Sequence, residues 1–173
     1  MTPGLWAQLD AGIRNLCPFV TTVFLVMLNV LPLPLPIPLV GSASPFLVLA
    51  AVFYWAIFRP DLMPSIAVFL VGMLYDVLSG GPLGLGALLL LVAHAVVIRQ
   101  RRFFYGKSFL VMWWGFIFVA AGFALANWAA ISVMAWRLVG PAPGVAQLLL
   151  TIAFYPCLTW VLLRIHRAFL TPA

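Results

Sequence analysis

Asp76 is the side chain best placed to do chemistry in this chain, because it is a carboxylate inside a run that is otherwise almost wholly aliphatic, aromatic or glycine. A charge near the centre of a lipid bilayer costs at least about 2.5 kcal/mol, so an ionisable residue in such a run is a functional candidate by default. Depth moderates that cost. Asp76 stands three residues before Ser79, the last residue of its run, hence roughly 5 Å from the end at 1.5 Å per residue. Water or the amides of the Ser79-Gly80-Gly81 turn could solvate it there. Two readings follow: Asp76 braces the turn, or it contacts a partner or ligand.

Catalytic constellations fail for identifiable reasons. Tyr75-Asp76 followed by Gly84-Leu85-Gly86 imitates an intramembrane aspartyl protease, which sets Tyr-Asp on one helix against Gly-x-Gly-Asp on the next, but Ala87 holds the place of the second acid. That chemistry needs two carboxylates sharing a proton. Ser79 and His94 suggest a serine-histidine dyad, yet a nucleophile and its base must approach to about 3 Å. His94 is eleven residues into the run that follows Ser79, some 16 Å along a helix axis. It reads instead as a neutral histidine hydrogen-bonded inside a bundle. No HExxH, GxSxG or GxxxxGK[ST] motif occurs. Cys17 and Cys157 lack a CxxC spacing and a nearby histidine, so they read as small hydrophobes. No cofactor or metal is expected, and an ion pathway would need a second ionisable group beside Asp76, for which only Arg137 is available.

Helices in lipid must position these groups. The chain is 66% hydrophobic, 7% charged and has a mean hydropathy of +1.20, whereas a soluble domain carries about 25% charge. Its net charge of +6 would suit nucleic acid in a soluble protein. Here most cations flank apolar runs, where membrane orientation and lipid headgroups account for them, and nucleic-acid binding is set aside. A spanning helix needs roughly 20 apolar residues, so we expect a single all-α, multi-pass membrane domain over residues 1–173, with about six helices near 13–31, 45–58, 63–79, 83–98, 108–136 and 145–163.

The second and third runs are short enough to form one re-entrant hairpin, but charge favours two crossings. With both termini cytoplasmic, eight of the nine cations fall inside, and only Arg137 falls outside, as the positive-inside rule requires. No inverted repeat of the kind that builds transporters is visible. Pro32, Pro34, Pro36 and Pro38 predict an extended, polyproline-like segment. They also separate the first apolar run from 41–44, which argues against signal-peptidase cleavage there. Pro156 predicts a kink.

Small residues predict close packing. Gly72 and Asp76 share a helix face, and Gly72 admits a neighbouring helix; Gly115, Gly122 and Ala126 do the same further on, with packing inside the chain favoured over a subunit interface. Trp residues near the run ends fit an interfacial belt. The stretch 99–107, read as a loop, interleaves Arg99, Arg101, Arg102 and Lys107 with three aromatics. It is either a topology signal held at anionic lipid or a docking site for a cytoplasmic partner.

Tyr54-Trp55, Pro60, Gly72, Asp76, Ser79-Gly80, Leu83-Gly84 and Ala87-Leu88, then a basic stretch and a late Pro156 helix with Arg164 and Arg167 after it, resemble the rod shape-determining protein MreD family over most of the chain. The resemblance implies a non-enzymatic protein of the bacterial inner membrane and cell-elongation machinery. It implies as partners a single-span MreC-like protein, an MreB-like actin filament, a RodA-like glycosyltransferase and a penicillin-binding transpeptidase. It also implies a fold similar to the substrate-binding subunits of energy-coupling-factor transporters. On this reading Gly72, Asp76, Ser79, Gly80, Gly84, Arg99, Arg101 and Arg102 are candidates for partner contact, and Tyr54, Trp55, Pro60, His94 and Pro156 for structural roles. The alternative is a small-molecule-binding subunit of a vitamin-type transporter, with a cavity near Asp76, His94 and Asn127.

Overall fold

The computed structural model describes residues 5–30, 44–104 and 106–170. Among them the chain is helical without strands, in six α-helices: α1 (Leu5–Val30), α2 (Leu47–Phe58), α3 (Ser65–Ser79), α4 (Leu85–Phe104), α5 (Phe109–Met134) and α6 (Ala142–Leu170). A 3-10 turn, Pro60–Leu62, joins α2 to α3. The proline run 32–38 and the residues 41–43 beside it lie outside the described residues.

The architecture is organised around α2. Its sequence is apolar on every side, and a helix of that kind is stable only when surrounded. Accordingly Val48 to Ile57 are all buried, with Tyr54 and Trp55 among the largest fully enclosed side chains. Helices α1, α4 and α6 provide most of the enclosure. The 12 residues of α2 extend about 18 Å at 1.5 Å per residue, well short of the roughly 30 Å of a hydrocarbon core. Pro60 stops it: the residue before a proline is steered out of the α region, and Arg59 sits at φ −144° and ψ 65° with its N–H closing on the Trp55 carbonyl at 2.8 Å. The interior beside α2 is aromatic, with Phe116 stacked on Tyr155 at 4.0 Å between centroids and Phe53 edge-on to Phe116 at 5.3 Å.

The outside of the bundle is apolar too. Ile66 and Val77 on α3, Phe118, Leu125 and Val133 on α5, and Leu149 and Trp160 on α6 are all exposed, far more apolar surface than a water-soluble monomer displays. Both α5 and the 142–165 part of α6 are long and apolar enough to cross a membrane.

The largest departures from the sequence expectation fall at three boundaries. Helix α1 begins at Leu5 rather than near 13, and α6 runs on to Leu170. Helix α4 continues past 98 to Phe104, so most of the basic stretch is helix and not loop. Arginine and glutamine are good helix formers, and nothing breaks the helix before Gly106, which takes φ 76°. Pro156 does not interrupt α6. A proline there leaves the carbonyl four residues earlier without its helical donor, and Trp113 of α5 supplies one, donating its Nε1–H to the Ile152 oxygen at 3.4 Å.

Candidate functional site: the carboxylate at the α3–α4 turn

Helix α3 ends where Gly80 takes the left-handed conformation, φ 67° and ψ 17°, and Gly84 follows at φ 89° as the chain turns into α4. Left-handed backbone at two points within five residues is cheap only for glycine. The reversal sets α3 against α4 in the most extensive helix pairing of the fold. Asp76, one turn before the end of α3, is 3% exposed.

Its carboxylate is held by backbone. Asp76 Oδ2 accepts hydrogen bonds from the Gly84 N–H at 2.9 Å and the Ala87 N–H at 3.2 Å. The first amides of a helix have no partner within it, and the helix dipole favours negative charge at that end. Asp76 therefore acts as a cap for α4 presented by a different helix. The other oxygen, Oδ1, fills the space in which a side chain at Gly86 would begin. One turn earlier Gly72 lies so close to α4 that an added Cβ would overlap the Ala87 backbone. Ser79 Oγ–H donates to the Asp76 main-chain carbonyl at 3.4 Å.

These contacts locate the sequence candidates. Gly72 and Asp76 are buried and directed into α4, so neither presents its own atoms to an outside partner. Ser79 and Gly80 are exposed, and Gly84 is half-buried. Arg99 and Arg102 are exposed and Arg101 half-buried on the last turns of α4. His94 is 1% exposed, and its Nε2–H donates to the Met63 carbonyl at 3.0 Å; an oxygen acceptor fixes the hydrogen on that nitrogen. That bond ties α4 to the chain entering α3. Ser79 lies at the opposite end of α3, 14 residues from Ser65 and thus about 21 Å away along the axis, so Ser79 and His94 do not meet.

The expected grouping of Asp76, His94 and Asn127 around one cavity finds no support in the clefts of the bundle. Asn127 lines a separate cleft of about 440 Å3 between α5, α6 and the start of α2, to which neither Asp76 nor His94 contributes. The two are instead committed to backbone groups. In that cleft Thr151 Oγ1 accepts from the Phe46 N–H at 2.9 Å while donating to the Gln147 carbonyl at 2.7 Å, which anchors the start of α2 on α6. Sequence reasoning missed Thr151, Trp113 and Gly86. For Gly86 a signal existed, since it lies within the Gly84-Leu85-Gly86 pattern opposite Asp76. Among the described residues no three His, Cys, Asp or Glu side chains gather as metal ligands.

A bundle apolar inside and out, with the one buried carboxylate among the described residues spent on helix amides, defines a helical membrane protein with a braced hairpin. The family model for the rod shape-determining protein MreD matches residues 13–165, and the chain belongs to that family. Membership places it in rod-shape determination and in the Mre rod-shape system. No curated protein and no solved structure matches the chain.

Proposed function

We propose that this protein is a non-enzymatic scaffold of the cell-elongation complex in the bacterial inner membrane, crossing it six times with both termini cytoplasmic. The α3–α4 hairpin is the surface recognised by a single-span MreC-like partner. The basic end of α4 faces an MreB-like filament, and a RodA-like glycosyltransferase and a penicillin-binding transpeptidase join the same assembly. We also read its six helices as akin to the substrate-binding subunits of energy-coupling-factor transporters.

The match to the MreD family over residues 13–165 carries this reading. The geometry supports it in a particular way. Between lipid-embedded helices the hydrophobic effect supplies little, so affinity comes from close packing and hydrogen bonds on surfaces of fixed shape. Gly72 and Asp76 fix the shape of the hairpin from within, while Phe69, Val77 and Ser79 stand on its exposed side. The partner therefore reads the hairpin and not the carboxylate.

Depleting the protein from a rod-shaped host tests the role: cells that round up support it, and cells that stay rods remove it. Copurification tests the surface. Asp76→Ala and Gly72→Leu should both insert yet recover less MreC-like partner, and undiminished recovery with both would take the hairpin out of the interface.

A further inference from the structure

A groove of about 670 Å3 runs along the lipid-facing side of the bundle between α4 and α5. Its walls are apolar: Val92, Val96 and Phe103 on α4 face Trp114 and Phe118 on α5, all exposed. Gly122 leaves the wall of α5 open, with no atom near where its side chain would be. Phe104 closes the floor against Gly115. From Leu89 to Phe103 the α4 wall spans 14 residue steps, about 21 Å at 1.5 Å per residue. That length equals one leaflet, since a bilayer with its headgroups is about 40–45 Å thick.

The groove changes character at one end only. Arg99 continues the edge formed by Val92, Val96 and Phe103, at helical steps of four, three and four residues. Gln100 lines the groove at the same level, and Lys107 lies in the connection to α5. Neither Arg99 nor Lys107 has a side-chain hydrogen bond or ion pair with another described residue. We infer that this groove is a binding site for one anionic phospholipid, with an acyl chain between α4 and α5 and its phosphate on Arg99, Gln100 and Lys107. Length and charge decide the occupant. A partner's spanning helix needs a surface across the whole membrane, whereas this groove ends within one leaflet, and Arg99 and Lys107 lie close in sequence to the end lined by Gln100, Phe103 and Phe104. The inference stands independently of the scaffold role.

Native mass spectrometry of the full chain released from micelles tests it, with phosphatidylglycerol and phosphatidylcholine of identical acyl chains as probes. Two cations near an anionic headgroup predict about thirtyfold stronger retention of phosphatidylglycerol. Arg99→Gln combined with Lys107→Gln should abolish that preference and leave chain binding in place. Gly122→Leu, whose new side chain enters open space, should lower retention of both lipids. Equal retention of the two lipids by the unaltered protein, or a preference that survives the double substitution, would overturn the site. So would displacement by glycerol 1-phosphate, which would mean a free-phosphate site. A photoreactive side chain at position 122 should crosslink to lipid in native membranes; crosslinking to a protein instead would assign the groove to a partner.

Discussion

The α3–α4 and α5–α6 connections reverse the chain by different chemistry. In the first, a buried carboxylate bonds two helix amides, and glycines let the backbones nearly touch. In the second, neutral groups do the work: Trp128 Nε1–H donates to the Val139 carbonyl at 2.9 Å, and the Val139 N–H donates to Ser132 Oγ at 3.4 Å. That connection also carries Trp136 at φ 52°, the one described non-glycine residue with positive φ, and beside it lies the 440 Å3 cleft. Charge-assisted bonds are roughly twice as strong as neutral ones. The first connection is thus a rigid clasp, and the second is strained, roomier and held more weakly. A membrane protein has little hydrophobic force with which to set helix against helix. Rigidity accordingly appears where a charge is placed on helix amides.

The largest effect should come from Gly86→Ala. Its methyl group would occupy the place of Asp76 Oδ1, adding overpacking to the loss of the cap, and we expect more than about 3 kcal/mol of destabilisation. Unfolding in mixed micelles titrated with denaturing detergent measures it. Asp76→Ala should come next at about 2–3 kcal/mol, because it strips two amides of their acceptor; Asp76→Asn, which keeps an oxygen, should lose less. Equal losses for Asp76→Ala and Asp76→Asn would mean that the charge, and not the acceptor, matters. Trp113→Phe removes the donor that serves the Ile152 carbonyl and should cost about 1 kcal/mol by the same titration. Smallest, and of opposite sign, is Trp136→Gly: relieving a left-handed residue should stabilise the α5–α6 connection by at most about 1 kcal/mol. A stability gain from Gly80→Ala, at φ 67°, would break the comparison, since the first connection should tolerate no such change.

Much of this was legible in the sequence, and the misses share a cause. Asp76 stood out because a lone acid among apolar residues is costly in lipid, and the all-helical class followed from composition. What residue types do not encode is the backbone. Ala87 contributes an amide, not a side chain, so the pattern 84–87 read as a protease motif lacking its acid. In the structure Gly86 makes room for the carboxylate that the motif already has. Thr151 with Phe46, and Trp113 with the carbonyl freed by Pro156, are contacts between residues far apart in the chain, beyond the reach of local periodicity. The basic stretch after 98 was readable in principle: charge suggested a loop, whereas the helix propensities of arginine and glutamine pointed to the extension of α4.

Complementation tests the account's central claim most directly, by asking whether the clasp is required for shape. In a rod-shaped host depleted of its own protein, the unaltered chain should restore rods. Asp76→Ala, accumulating in the membrane to the same level, should leave the cells round, and Asp76→Asn should restore them in part. Full restoration of rods by Asp76→Ala would contradict the account.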